Sequence, residues 1–237
     1  MTPKHSRIIG TVLSPALHLW LRSQVSQVAD LHVEITGGDR QIISGHIPQV
    51  NLAARHAVYQ GLHLSQIRVT GENIRINLGQ VLRGQPLRLL EPIPVTAELF
   101  LEEADLKASL GSSLLSNALT ELFKTLLTPS VTTILTDPSS DGNISWSKVA
   151  IAENLLSLEG AILGTEGEST PVLVKTGIQL ASGRELRLAP LQIYIAGELV
   201  ERDLDSFPID LGAEVDFKEL ALTPGQLIAR GSIKVMP

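Results

Sequence analysis

Apolar residues recur at every second position through most of this chain. That period of two restricts the fold most, because only extended strands set alternate side chains on one face. Leu31, Val33 and Ile35 alternate with His32 and Glu34, and Gly37-Gly38-Asp39 is placed to turn the chain into a second strand beginning at Gln41 to Ser44. Tyr59-Gln60-Gly61 predicts the next turn. Leu62, Leu64, Ile67 and Val69 then run into a further turn expected at Gly71-Glu72-Asn73 and return as Ile74, Ile76 and Leu78. Val95 to Leu101 reads as another strand, behind Pro92 and Pro94, which suit a strand's start or a sheet edge. Alternation resumes over 149–163, 172–180, 186–195 and 209–235, divided by Ser182-Gly183, Gly197-Glu198 and Pro224-Gly225. Three stretches, 67–76, 149–158 and 220–229, share a pattern of three strand residues, a short turn and three more, either a hairpin repeat or simply a meander.

Two regions break this period. Ser14-Pro15 is a helix start, a serine cap followed by proline where its missing N–H costs nothing. Leu17, Leu21, Val25 and Val28 continue it at helical spacing for about four turns. The apolar run from Ile8 to Leu21 is shorter than the roughly 18 residues a spanning helix needs, and no small-x-small cleavage site follows it. This helix faces either a core or a membrane interface. In the middle of the chain, Glu102-Glu103-Ala104-Asp105 sets carboxylates in the first turn of a short helix, which Gly111-Ser112-Ser113 ends. A second helix there, capped by Ser112 or Ser113, carries a stripe of Leu115, Leu119, Leu122, Phe123 and Leu126 and stops before Thr128-Pro129.

Absence of cysteine excludes a disulfide scaffold, thiolate metal sites and a thiol nucleophile, while 237 residues suffice for a core without such staples. Charge is unevenly placed. The first 90 residues hold nine arginines and lysines against four acids, a balance of +5, so the remainder of a chain of net charge −6 carries −11. The basic half implies either an anionic partner or mutual neutralisation of the halves within the fold. Lipid head groups fit better than nucleic acid, because the arginines are dispersed among aliphatic residues and only Trp20 and Tyr59 could stack a base. No G-x-S-x-G elbow, phosphate loop, dinucleotide fingerprint or H-E-x-x-H occurs. The histidines read as outward strand positions, and no metal spacing is present. Asp137, Ser139, Asp141, Gly142 and Ile144 imitate a calcium loop, but Lys148 stands where its bidentate glutamate belongs, so the stretch reads as a hairpin turn.

The segment Gly45-His46-Ile47-Pro48-Gln49-Val50-Asn51-Leu52-Ala53-Ala54-Arg55-His56-Ala57-Val58-Tyr59-Gln60-Gly61-Leu62-His63-Leu64-Ser65, with Arg75-Ile76-Asn77-Leu78, Gly84-Gln85-Pro86-Leu87, Pro94 to Leu99 and Glu103-Ala104-Asp105-Leu106, resembles the LmeA-like family of bacterial phospholipid-binding proteins. The resemblance covers residues 15 to 127 well and the rest loosely. It implies lipid binding without catalysis and a fold like the tubular lipid-binding domains, in which an acyl chain lies between a long helix and a sheet. The expected fold is therefore α+β, a strongly curved antiparallel sheet wrapped around a long N-terminal helix, with a helical pair in the middle. It forms a single domain over 1–237, comprising a tail at 1–13, the family-like segment at 14–127 and a β-rich second half at 128–237. The expected lipid lining is Leu17, Leu21 and Val25 with Leu115, Leu119 and Leu122, and the head group falls to Arg55, Arg68, Arg75 and Arg83. No cofactor or metal is expected. Envelope members of the family carry export signals; none is evident here, so the expected compartment is cytoplasmic, peripheral on a membrane. The alternative is a docking module with a filled core and no lipid.

Overall fold

The computed structural model describes residues 25–127, 140–164, 168–204 and 206–237, with Leu17, Leu19 and Arg22 ahead of them. Strands dominate, as the alternation requires. The order is β1 (Asp30–Thr36), α1 (Asp39–Ile43), β2 (His46–Tyr59), β3 (Leu62–Arg75), α2 (Leu78–Val81), β4 (Ile93–Glu102), α3 (Glu103–Ser109) and α4 (Ser113–Leu126). After these come β5 (Ser140–Ala152), β6 (Leu155–Gly164), β7 (Ser169–Ser182), β8 (Glu185–Ile195), β9 (Glu198–Leu204), β10 (Phe207–Asp210), β11 (Val215–Thr223) and β12 (Gln226–Val235). They build two six-stranded antiparallel sheets. Sheet 1 runs β1-β2-β3-β4-β12-β11, and sheet 2 runs β10-β8-β7-β6-β5 with β9 also paired to β8.

This corrects the expectation of one strongly curved sheet around a long N-terminal helix: the strands divide between two sheets, and neither is strongly curled. Leu17, Leu19 and Arg22 have helical backbone, but Val25 and Val28 do not. Ser26 N–H donates to the Val58 carbonyl at 2.8 Å, and Val58 N–H donates to the Gln27 carbonyl at 2.8 Å. Backbone groups committed to the side of β2 cannot close helical turns, so tertiary pairing overrides the helical spacing there.

The large core belongs to sheet 2 and α4. Phe123 and Leu126 bury against Trp146, Val149, Leu191 and Ile193, with the Phe123 and Trp146 rings edge to face at 5.9 Å. Ser112 caps α4 as expected, its hydroxyl accepting from Leu115 N–H at 3.2 Å. A second core closes the far end of sheet 1, where Ile42 of α1 and Leu78 of α2 pack on Ile47, Ile74, Ile76, Ile93 and Val95.

Three turns differ from their sequence reading. Residues 41–43 are helical rather than the start of a strand, and β2 begins at His46. Asp39 in the first turn and a Gln41 side chain accepting from Gly38 N–H at 3.1 Å favour that helix. Gly71-Glu72-Asn73 reverses nothing: β3 pairs with β2 from Leu62 opposite Tyr59 to Arg75 opposite His46, and Asn73, at φ 53°, absorbs a local irregularity. Of the three look-alike stretches only 149–158 and 220–229 are hairpins. The calcium-like stretch lies partly outside the described residues, and Asp141-Gly142 falls in the irregular start of β5, where the register slips between Ser140 and Ile144, rather than in a hairpin turn. Elsewhere the punctuation holds. Gln60-Gly61 and Ala196-Gly197 make two-residue turns with both residues at positive φ, and Pro224-Gly225 joins β11 to β12. Pro94 lies within an inner strand, but just past the last β3 rung, Gly71 opposite Val95, so its missing N–H breaks nothing there.

Candidate functional site

Register turns the alternating sequence into a two-faced sheet. Residues directly opposite in neighbouring antiparallel strands point to the same side. One row across sheet 1 therefore reads Leu31, Ala54, Ile67, Leu99, Ala229 and Leu220 from edge to edge. The next reads Val33, Leu52, Val69, Ala97, Gly231 and Phe217. No polar side chain interrupts either row. Most of these residues are only half-buried, in contrast to the core of sheet 2, where Ile193 has no exposed surface and Leu191 only 1%.

The opposite face is polar. Arg68, Glu98, Arg230 and Glu219 stand side by side on β3, β4, β12 and β11, with Arg68 3.5 Å from Glu98 and Arg230 bonded to both glutamates. This ladder of alternating charge is neutral in itself. A shallow groove of about 220 Å³ lies over it, bordered by Gln66, Phe100 and Ile228 as well as both arginines. It falls below the roughly 300 Å³ at which ligand pockets begin, too little for a whole phospholipid.

Sheet 1 meets sheet 2 through backbone and buried polar groups. The Ser65 hydroxyl donates to the Asp105 carboxylate at 2.5 Å and accepts from Glu102 N–H at 2.7 Å. Glu103 accepts from Ile151 N–H of β5 at 2.7 Å, while Gly225 N–H donates to the Ile151 carbonyl at 2.8 Å. Among the described residues every buried side-chain polar atom has a partner, and no three histidine, aspartate or glutamate side chains gather as metal ligands. Paired groups of this kind hold the two sheets together, and none of them lines the groove over the charge ladder.

The residues singled out from sequence are scattered. Leu115, Leu119 and Leu122 pack against the core of sheet 2, on α4. Leu17 and Val25 are half-buried, and Leu21 lies outside the described residues. Arg68 belongs to the charge ladder, with Arg55 near it on β2, since Arg55 faces Gln66 and Ala53 faces Arg68. Arg75, opposite His46, and Arg83, just beyond α2, lie at the far end of sheet 1. All four arginines are exposed, and among the described residues only Arg68 is ion-paired. The aliphatic rows of sheet 1 were visible in the alternation of Leu31, Val33, Ile67 and Val69, but nothing local tells which strands share a sheet.

Architecturally this is a mostly β protein of two antiparallel sheets, one of which keeps an apolar, half-buried face. The chain belongs to the LmeA-like phospholipid-binding family, whose model matches residues 5–232. No curated protein and no solved structure matches it. Membership makes a lipid the partner to be explained. No described helix is long and apolar enough to cross a membrane.

Proposed function

We propose that this protein binds a phospholipid without transforming it, laying acyl chains along the aliphatic face of sheet 1. The observation that carries the reading is the pair of uninterrupted apolar rows across six strands, half-buried in a protein that packs its other core fully. Scale supports it. The ten residues of β4 extend about 33 Å, whereas the acyl chains of one leaflet occupy about 15 Å of a bilayer core. Burial contributes about 0.8 kcal/mol per methylene, so a chain of some 15 methylenes with one side on the sheet gains roughly 6 kcal/mol. Leu17 and Val25 are the N-terminal residues proposed to line the same space. Arg75 and Arg83, at the end of the strands and free of ion pairs among the described residues, are the proposed head-group ligands, and Arg55, on the polar face beside Gln66, contributes less. Arg68 contributes less, because Glu98 already offsets its charge.

The test is to purify the protein under native conditions, extract it with organic solvent and weigh the extract by mass spectrometry. A stoichiometric phospholipid is expected, and Val33→Thr with Val69→Thr, which keeps shape and strand propensity but sets hydroxyls on the face, lowers the retained amount by about tenfold at the 1–3 kcal/mol such burial costs. An empty extract, repeated after incubation with phospholipid vesicles, removes the reading and leaves a docking module.

A further inference from the structure

The end of sheet 1 at which β3 closes and β4 begins displays what folded proteins ordinarily hide. Ile43, Leu82, Leu90 and Met236 are 63%, 60%, 58% and 58% exposed, half of the eight large hydrophobics that the described residues leave open to solvent. They come together around the strand end Arg75-Ile76-Asn77. Ile76 N–H donates to the Gly45 carbonyl beside Ile43, Leu90 N–H donates to the Arg75 carbonyl, and Leu82 N–H donates to the Leu78 carbonyl at the close of α2. Met236 follows Val235, which faces Ile93 at the same end.

This display is built rather than frayed. The Asn77 side chain accepts from Arg88 N–H at 2.7 Å and donates to the Pro86 carbonyl at 2.9 Å and to Gln80 at 3.0 Å. Ile42 and Leu78, 0% and 2% exposed, anchor α1 and α2 beneath. A loop tied down so firmly could turn Leu82 and Leu90 inward as it does Leu87 and Leu89, yet it presents them to solvent. Around them stand Arg40, Arg75, Arg83 and Arg88, all exposed. Between Glu72 and Glu91 the chain has no acid at all, in a protein of net charge −6.

We infer that this end of sheet 1 docks onto an anionic phospholipid bilayer, with the four apolar side chains entering the interface and the arginines meeting phosphates. Protruding aliphatics supply burial that a purely basic patch lacks, and guanidiniums on long stems reach head groups while their methylenes stay with the lipid. The surface adjoins the sheet face proposed to hold acyl chains and shares Arg75 and Arg83 with its head-group end, but Arg40, Arg88 and the four apolar side chains lie outside it, and the inference stands whether or not that face is loaded.

The test is flotation with vesicles of phosphatidylcholine alone or with added phosphatidylglycerol. The unaltered protein is expected to float only with the anionic vesicles, and less as salt rises. Arg40→Gln with Arg88→Gln is expected to weaken partitioning about 25-fold, about fivefold for each arginine at about 1 kcal/mol. Leu82→Ser with Leu90→Ser is expected to weaken it by about tenfold or more, and Lys124→Gln, on α4, whose cap meets the β2–β3 turn at the opposite end of the strands, not to change it. Failure of the unaltered protein to float, or flotation of both double variants at its level, overturns the inference. Solvent extraction of the same variants separates the two ideas. Lipid retained by a protein that does not float removes docking alone, and flotation of a protein that carries no lipid removes the proposed function alone.

Discussion

At the scale of single residues, the large core turns on a few contacts between α4 and β5. Phe123 is 1% exposed and meets Trp146 edge to face, while the Trp146 indole N–H donates to the Thr120 hydroxyl at 3.2 Å. Phe123→Ala leaves a cavity among side chains that cannot close over it, so urea denaturation is expected to show a loss of about 3–5 kcal/mol. Gly61 holds the other end of this helix in place. Its φ of +82° suits glycine, and an added Cβ would come within 2.8 Å of the Ser112 Cβ, so the β2–β3 turn seats directly on the cap of α4. Asn77 plays the corresponding part at the far end. Asn77→Ala strands Arg88 N–H and the Pro86 carbonyl and is expected to cost about 1–3 kcal/mol. Hydrogen exchange would report it as faster exchange at Arg88 than in the unaltered protein.

Among the elements, α4 and the face of sheet 1 carry different duties, and substitutions separate them. Leu119→Ala on α4 is expected to lower stability to urea by about 2–4 kcal/mol and leave the phospholipid content of the folded protein unchanged, whereas the Val33→Thr, Val69→Thr pair lowers the content about tenfold. Lipid loss caused by Leu119→Ala at temperatures where it stays folded would show that α4 lines the ligand. How legible these elements were in the chain follows from the range of the signals. Period two marked nearly every strand, because each strand's own residues show which face is apolar. Ser112 and the acids at 103 and 105 marked the middle helices for the same reason: caps and first-turn charges are local. The stripe of Leu115, Leu119 and Leu122 marked a buried face without saying against what, and it faces sheet 2 rather than a lipid groove. The extended pairing of Ser26 and Gln27 with Val58, 31 or more residues on, had no local trace, and helical spacing at Val25 and Val28 misled. The division into two sheets was equally hidden, since it depends on β12 finding β4 across the whole of sheet 2.

For the whole molecule, a bound phospholipid stabilises the folded state by mass action. Ligand at 100 times its dissociation constant adds about 2.7 kcal/mol, which for a chain of this size raises Tm by about 5–11 °C. Protein stripped of lipid is therefore expected to melt lower by that amount and to recover on incubation with phosphatidylglycerol vesicles, as followed by scanning calorimetry; unchanged melting would mean that nothing binds the native state preferentially. The route of the chain carries another consequence, in time rather than in energy. Sheet 2 is inserted between β4 and the β11–β12 hairpin, so the inner edge of β4 waits for a partner that begins 124 residues later, at Gln226 after Glu102. At 5–20 residues per second a ribosome needs roughly 6–25 s to supply it. Throughout that interval a strand holding Leu99, Phe100 and Leu101 has its edge unpaired, which makes the nascent chain, more than the finished protein, the form most in need of a chaperone.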